Sequence, residues 1–132
     1  NDQLFGQVGN DILKGGGGRD TLVGGAGSDR QTGGGGRDTF LFNAVSDSAA
    51  GRGFDQITDF RSGADQIDIS ALVGQALAIS LGGSFSGSRA SVITREVGGD
   101  TRVLIDTDQD RQADMRIDLL GTTGLSESDF IL

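Results

Sequence analysis

Five aspartates, placed nine residues apart, are the residues of this chain with the clearest potential for chemistry. They are Asp2, Asp11, Asp20, Asp29 and Asp38. Carboxylates at such regular spacing either work as acids and bases or hold a hard cation between them. Histidine and cysteine are absent from the 132 residues, which excludes a zinc site built on those ligands, a Ser-His-Asp triad and a thiol nucleophile. The chain is therefore a poor candidate for an enzyme.

The aspartates belong to a nine-residue repeat. Four units follow one another, GQVGNDILK, GGGGRDTLV, GGAGSDRQT and GGGGRDTFL, after a partial unit NDQLF. A flexible linker would explain the glycines but not the phased aspartates and leucines. A phosphate-binding loop needs GxxxxGK[ST] or GxGxxG, and neither pattern occurs. A fixed period of this kind is typical of a repeat architecture.

The composition of one unit predicts the elements that position the aspartates. The glycine-rich residues ending in aspartate form a tight loop, because glycine adopts positive φ without steric cost, and the next three residues form a short strand. Two units make one 18-residue turn of a coil, with strands about 4.8 Å apart as in a parallel sheet. We expect Leu4, Leu22 and Phe40 in one sheet and Leu13 with Gln31 in the other. Since Gln31 takes an apolar slot, it is expected to mark a weak point or an end of its sheet.

Stacked turns would bring carboxylates together on each edge of the coil, Asp2 beside Asp20, Asp20 beside Asp38, and Asp11 beside Asp29. They repel one another unless a cation lies between them. Six or more hard oxygen ligands, supplied by carboxylates and free loop carbonyls, suit Ca²⁺ better than Mg²⁺. We therefore expect several calcium ions, with ligands drawn from Asp2, Gly9, Asp11, Gly16, Gly18, Asp20, Gly25, Gly27, Asp29, Gly34, Gly36, Asp38, Asp47, Gly53 and Asp55.

A decayed form of the repeat continues after residue 42. Residues 51–57, GRGFDQI, and 63–67, GADQI, keep parts of the pattern. Asp55 lies 17 residues beyond Asp38, one residue short of a full turn. The insertion between Asp38 and Asp55 contains Asp47, which could supply another carboxylate ligand from a side loop. The alternative, that Asp47 and Asp55 are ordinary loop residues, stays open because the phase has slipped.

Alternating apolar residues predict further short strands at 54–60, 66–69, 76–81, 90–97, 101–105 and 115–120. One helical turn is expected after Ser126, which would cap it. The fold class predicted for the whole chain is all-β, a right-handed parallel β-roll that continues into a β-sandwich-like carboxy-terminal region. We expect one domain, with the nonapeptide roll at 1–42, degenerate repeats at 43–70 and a carboxy-terminal β region at 71–132.

The run GGGGRDTLVGGAGSDRQ resembles the GGxGxDxUx nonapeptide of the repeats-in-toxin (RTX) family, whose members form a calcium-bound parallel β-roll. Gln7, in place of the second glycine of its unit, is a minor departure from that pattern. Residues 43–72 and the ending LSESDFIL are similar to the carboxy-terminal region of serralysin-type metalloproteases. Related tails occur in secreted lipases and in the repeat modules of mannuronan C5-epimerases.

This resemblance implies a non-catalytic calcium-binding module at the carboxy terminus of a bacterial protein that is secreted through a type I machine. The module would fold on extracellular Ca²⁺, and the acid and apolar residues 129–132 would end the export signal. Because the chain opens in mid-pattern at Asn1, we expect a fragment of a longer secreted enzyme, such as a metalloprotease, a lipase or an epimerase. The active site of that enzyme would lie upstream.

Two other functions stand beside the calcium module. The alternative is a polysaccharide-binding module, with Arg19, Arg37, Arg52 and Arg61 facing an alginate-like polymer, although these arginines can equally pair with aspartates. A glycosidase that works through a pair of carboxylates is a third possibility, but nothing in the sequence marks two acidic residues that would share a cleft. Net charge −8 argues against a nucleic-acid partner, and no apolar run is long enough to span a membrane.

A second acidic cluster lies at 106–114. Its aspartates have part of the spacing of an EF-hand loop, but Arg111 replaces the turn glycine and Ile117 replaces the bidentate glutamate. We favour an aspartate-rich hairpin turn over a calcium site here, because the two missing residues are those that close the EF-hand loop.

Overall fold

The structure, a computed structural model, describes residues 1–75 and 77–132. The described strands are β1 (Gln3–Val8), β2 (Ile12–Gly18), β3 (Thr21–Ala26), β4 (Arg30–Gly36), β5 (Thr39–Leu41), β6 (Asp55–Ile57), β7 (Gln66–Asp68), β8 (Ala78–Leu81), β9 (Ser91–Val97), β10 (Asp100–Asp106), β11 (Met115–Leu119) and β12 (Phe130–Ile131). Two short 3₁₀ turns, η1 (Val45–Ser48) and η2 (Glu127–Asp129), complete the elements. Ser126 is the N-cap residue of η2, as the sequence predicts.

Successive strands of the repeat alternate between two sheets. The first sheet has the order β1-β3-β5-β7-β12, and its strands are parallel. Its register pairs Leu4 with Leu22 and Leu22 with Phe40, each 18 residues apart. The second sheet begins β2-β4-β6 and pairs Leu13 with Gln31. The predicted 18-residue turn is confirmed.

The repeat strands are longer than the three residues that the pattern predicts. β2 and β4 are parallel over their glycine runs, with Gly16 opposite Gly34 and Gly18 opposite Gly36. The prediction of three-residue strands is wrong, because one turn lies directly on the next and the loop backbones keep the parallel register of the sheet. Glycine lets the two backbones run at this spacing without side chains between them.

The insertion after β5 decides where Asp55 rejoins the roll. After β5 the chain leaves the roll through residues 42–54, which include η1, and it rejoins the second sheet at β6. The half-turn from Asp38 to Asp55 therefore takes 17 residues instead of nine. As a result, Ile57 lies opposite Gln31, and Asp55 lies against Asp29 on the other edge of the roll and not against Asp38.

Gln31 is not an end of its sheet, although the sequence allowed that reading. The second sheet continues through Gln31 to β6 and then to β11, where Leu119 lies opposite Ile57. The Gln31 side chain is fully buried, and its Nε2 donates a hydrogen bond of 2.9 Å to Oδ2 of Asp55. A polar residue is tolerated in this apolar row because it has a buried partner.

The carboxy-terminal region extends both sheets of the roll. β11 joins β6 in parallel, β10 and β9 follow as antiparallel strands, and β8 pairs with β9 in parallel. β12 forms the last strand of the first sheet, with Phe130 opposite Ile67. The predicted strands are confirmed with different ends: β10 is one residue longer at each end than predicted, and the others are shorter. The strand expected at 76–81 begins at Ala78, and residue 76 lies outside the described residues.

One apolar core lies between the two sheets. The rows Leu22, Phe40 and Ile67 from the first sheet and Ile57 and Leu119 from the second are fully buried. The predicted all-β roll is thereby confirmed. No helix in the described part of the chain is long and apolar enough to cross a membrane.

Candidate metal centre

The turns of the roll place the predicted ligands in two stacks of loops. Loop edge A consists of loops 15–20, 33–38 and 60–65, and loop edge B consists of loops 6–11, 24–29 and 50–55. Each loop ends in an aspartate that precedes or begins a strand of the roll. Along edge A the aspartates are Asp2, Asp20, Asp38 and Asp65, and along edge B they are Asp11, Asp29 and Asp55.

A ladder of hydrogen bonds joins the aspartates of each edge. On edge A, the N–H of Asp2 donates to Oδ1 of Asp20, the N–H of Asp20 to Oδ1 of Asp38, and the N–H of Asp38 to Oδ1 of Asp65. Edge B repeats the arrangement from Asp11 to Asp29 and from Asp29 to Asp55. In Asp20, Asp29 and Asp38, Oδ1 thus holds the preceding turn, and Oδ2 remains available.

The available oxygens are buried and unpaired. Among the described residues, Oδ2 of four repeat aspartates is shielded from solvent and has no hydrogen-bond partner; these are Asp11, Asp20, Asp29 and Asp38. A buried carboxylate oxygen without a donor carries a large desolvation cost. A cation held between the turns would remove that cost. Three of the four side chains are almost fully buried, and Asp2, at the open end of edge A, is exposed.

The first glycine of each unit keeps space for these oxygens. A Cβ on Gly15 would lie 2.7 Å from Oδ2 of Asp20 and 2.7 Å from the carbonyl oxygen of Gly33 in the next turn. The carboxylate oxygen and the carbonyl oxygen therefore converge on one small space, which only glycine leaves open. Oxygens of these two kinds are the ligands that Ca²⁺ prefers.

The predicted glycine ligands supply the backbone bends of the loops. All of them have positive φ: Gly9, Gly16, Gly18, Gly25, Gly27, Gly34, Gly36 and Gly53. They are the second and fourth residues of their loops, positions where an L side chain is strained. Gln7, at a second position, has the same conformation with φ 78°. The first glycines, such as Gly15, were not predicted as site residues, although their place in the repeat was visible.

Electrostatics opposes the ionised state of these carboxylates when no metal is bound. Burial raises the pKa of Asp29, and the negative charges of Asp11 and Asp47 raise it further, against the hydrogen bond from Asp11. Burial likewise raises the pKa of Asp38, with contributions from Asp65 and Asp20. Carboxylates that resist ionisation in a crowded acidic site are those that a divalent cation stabilises most.

Asp55 ends the ladder of edge B. Its Oδ1 accepts from the N–H of Asp29 and its Oδ2 accepts from Gln31, so both oxygens have partners. Its own N–H donates to the hydroxyl of Ser48. Burial raises the pKa of Asp55 to about 8, and the charges of Asp29 and Asp47 contribute. Asp55 is thus the structural end of this ladder, and its assignment as a calcium ligand stays a prediction.

Asp47 lies beside edge B but has a local partner. Its Oδ2 accepts from the backbone N–H groups of Asn43 and Ala44, which closes the turn that begins η1. Its charge still reaches the site, because it raises the pKa of both Asp29 and Asp55.

Asp65 ends the ladder of edge A, and the sequence-based ligand set omitted it. The GxDxU pattern at 63–67 was the signal that could have identified it, but the correct phase requires the length of the insertion at 42–54. Both oxygens of Asp65 accept from Arg61.

The cluster at 106–114 forms the predicted hairpin turn between β10 and β11. Carboxylate oxygens of Asp106, Asp108 and Asp114 lie within 4.8 Å of one another. Asp106 accepts from the N–H groups of Gln109 and Arg111, and Asp114 accepts from Thr107. Arg111, in place of a turn glycine, has positive φ of 71°. The hydrogen bonds are those of a tight turn.

A cleft of about 330 Å³ opens on the outer side of edge A. Its lining includes Arg19 and Arg37, the buried carboxylates of Asp20 and Asp38, and Thr39. Of the four arginines proposed to face a polysaccharide, Arg61 instead pairs with Asp65.

Comparisons with known proteins agree with this architecture. The family model of the peptidase M10 serralysin C terminal matches residues 5–132. A solution structure of the AlgE6R3 subunit of the mannuronan C5-epimerase from Azotobacter vinelandii has a TM-score of 0.71 and 30% identity, over 98% of this chain and 77% of that one. The AlgE6R2 subunit of the same enzyme has a TM-score of 0.70 and 33% identity, over 100% of this chain and 88% of that one.

A comparison with curated protein sequences gives no match. The family model, however, extends over nearly the whole chain, from the first strand of the roll to the last residue. The repeat loops and the carboxy-terminal sheet both fall within the matched range. This chain belongs to the peptidase M10 serralysin C-terminal family.

Proposed function

We propose that this chain is a non-catalytic module that binds several calcium ions between the turns of its β-roll and folds on extracellular Ca²⁺. The observation that carries the proposal is the set of four buried, unpaired Oδ2 atoms on Asp11, Asp20, Asp29 and Asp38. Each is aligned with the next turn by the ladder bonds, and a glycine carbonyl converges on the same space at Gly15.

Charge explains why folding would depend on calcium. Without the ion, a chain of net charge −8 must bury adjacent carboxylates and also order 24 glycines, which lose more conformational entropy than other residues. Extracellular sites bind Ca²⁺ with dissociation constants of about 10⁻⁴–10⁻³ M, so millimolar Ca²⁺ outside the cell would fill them. Each filled site adds stability by mass action. We propose that the module stays unfolded during export and folds outside.

The family also supports a place in a secreted protein. We propose that the module lies at the carboxy terminus of a bacterial protein exported by a type I machine, and that residues 129–132 end the export signal. In the structure the first three of these residues belong to η2 and β12, so an export role would require the signal to be read before the module folds.

A calcium titration of the isolated chain tests the proposal. Calorimetry and circular dichroism should show several ions bound, with strand content that rises on binding. A chain that gives neither heat nor a change in circular dichroism would refute it.

Two aspartates provide an internal comparison. Asp20 lies between two turns, accepting from Asp2 and donating to Asp38, and its second oxygen is unpaired. Asp20→Ala should therefore reduce the calcium-induced rise in melting temperature much more than Asp2→Ala, because Asp2 is exposed at the end of the roll. Asp100→Asn, on β10 away from both edges, controls for the change in net charge. Equal effects at Asp20 and Asp2 would contradict binding between turns.

Binding of an anionic polysaccharide is a second candidate function, favoured by the cleft that Arg19 and Arg37 line beside edge A. The similar subunits belong to an enzyme named for mannuronan, a polyuronate. Titration with alginate oligomers in saturating calcium should give binding that the double variant Arg19→Ala/Arg37→Ala loses. Unchanged binding in that variant, or none in the wild type, would refute this function.

A further inference from the structure

At the last inter-turn position of edge A, an arginine side chain lies beside two ladder carboxylates. The guanidinium of Arg61 lies between loops 33–38 and 60–65. One Nη donates a hydrogen bond of 2.7 Å to the carbonyl oxygen of Gly36, and it lies 3.3 Å from Oδ1 of Asp65. The same nitrogen is 3.9 Å from Oδ2 of Asp38, one of the four unpaired oxygens.

These partners are the kind of oxygens that the metal would use elsewhere. They comprise a loop carbonyl and a ladder carboxylate of one turn, and a ladder carboxylate of the next. Oδ2 of Asp65, which corresponds to the unpaired oxygens of the repeat aspartates, accepts from the backbone N–H of Arg61 at 2.9 Å and from its Nε at 3.4 Å. A positive group thus already lies where two ladder carboxylates face each other.

The sequence of the loop shows how this substitution arises. Loop 60–65 reads FRSGAD where the repeat loops read GGGGRD, so Phe60 and Arg61 take the places of the first two glycines. Phe60 turns into the core, where its ring lies 6.0 Å from that of Phe40. Arg61 is absent from the residues with positive φ, in contrast to the second residues of the repeat loops. The backbone bend at the second loop position is therefore lost here, whereas Gly63 keeps the bend at the fourth position.

We propose that the Arg61 guanidinium serves as the fixed cation of this position, so that calcium does not bind between loops 33–38 and 60–65, and that removing it opens a further calcium site there. Its single charge balances part of the charge of Asp38 and Asp65 whether or not calcium is present. This end of edge A, next to β7 and β12, is therefore held together in the metal-free chain. The proposal rests on the calcium binding proposed above.

Counting ions by native mass spectrometry in a calcium titration tests it. Arg61→Gly restores the glycine of the repeat and should bind one ion more than the wild type. Arg61→Lys keeps a cation and should bind the wild-type number. Arg95→Gln removes an exposed arginine on β9 and should also leave the number unchanged.

The outcomes separate the two proposals. A wild type that binds no calcium refutes the proposed function itself. A wild type that binds calcium, with no additional ion in Arg61→Gly, overturns the role of Arg61 alone. Because Arg61→Gly also removes an ion pair, we expect a lower melting temperature without metal and a larger calcium-induced rise than in the wild type. An equal rise in both would likewise overturn the inference.

Discussion

Without calcium, the module should become less stable as the pH rises from 5 to 8. The cause is Asp55, whose pKa burial raises to about 8, aided by the charges of Asp29 and Asp47. Its ordinary value is 3.8. Between these two values the folded chain keeps the proton of Asp55 and the unfolded chain has released it.

The direction and size of the effect follow from proton linkage. A group with a raised pKa in the folded state contributes its full stability below its unfolded pKa and loses it as the pH rises through the folded pKa. For Asp55 alone, the free energy of unfolding should fall by about 1.4 kcal/mol for each pH unit across that range. Burial also raises the pKa of Asp29 and of Asp38, which changes stability in the same direction.

One carboxylate acts in the opposite direction outside this window. Burial opposes the ionisation of Asp129, but hydrogen bonds from the N–H of Ser126, the hydroxyl of Ser62 and the N–H of Gly63 prevail and lower its pKa. Its contribution is lost only as the pH falls below about 4, so measurements from pH 5 to 8 do not include it.

Saturating calcium should reverse the slope. The ligand carboxylates must be ionised to bind the metal, so calcium binding weakens as protons are added. The calcium-bound module should therefore be more stable at pH 8 than at pH 5. The two pH profiles of stability therefore cross. Without the ion, ionised carboxylates in the core of the loops destabilise the fold; with the ion bound, the same carboxylates are its ligands and stabilise the fold.

Far-ultraviolet circular dichroism is the suitable readout, since the chain has no tryptophan or tyrosine. Urea unfolding at four pH values between 5 and 8, in metal-free buffer and in saturating calcium, gives both slopes. If the metal-free chain is unfolded in buffer, folding it with an excluded osmolyte gives the same slope from the midpoint of the transition.

Asp55→Asn is the matched variant. It is neutral at every pH, and Gln31, whose Oε1 has no partner among the described residues, can rotate its amide to accept from the new Nδ2. The metal-free slope should become much smaller in this variant. A wild-type stability that is flat or rises from pH 5 to 8 without calcium, or an equal slope in Asp55→Asn, would refute the reasoning.

Three other predictions follow from the loops and from the last strand. Gln7→Gly should raise stability by about 1 kcal/mol in urea unfolding, because φ at this position is 78°, whereas Gln3→Gly in the same strand should lower it. Gly15→Ala should remove a calcium ion from edge A, because a Cβ there would lie 2.7 Å from a carboxylate oxygen, whereas Gly17→Ala meets nothing within 4 Å and should bind normally. Deleting Phe130–Leu132 removes β12 and a buried aromatic ring, so thermal melts should show a loss of about 3–5 kcal/mol; an unchanged melt would contradict the core role, and a secretion assay on the same chain tests the export signal separately.

Much of the roll was predictable because the residues of each repeat unit determine its local conformation. Glycine at the second and fourth loop positions permits positive φ, and the residue two positions after each aspartate faces inward. The 9-residue period then sets the register of both sheets, Leu4 on Leu22 and Leu22 on Phe40, without further information. Local conformational rules therefore suffice for the register of residues 1–42, though not for the lengths of the strands.

The ends of the two ladders depended on the tertiary structure, because they involve residues far apart in the chain. The insertion at 42–54 delays the return to the roll, so Asp55 meets Asp29 across 26 residues and Asp65 meets Asp38 across 27. No local pattern reports how much of such an insertion lies outside the sheet. The pairing of buried Gln31 with Asp55, and the position of Arg61 between two aspartates, follow from that register. The sequence by itself thus determined the repeating site. Only the packing of distant turns decided where the series of sites stops, because the cation there is Arg61 and the hydrogen-bond donor is Gln31, and the repeat period encodes neither side chain.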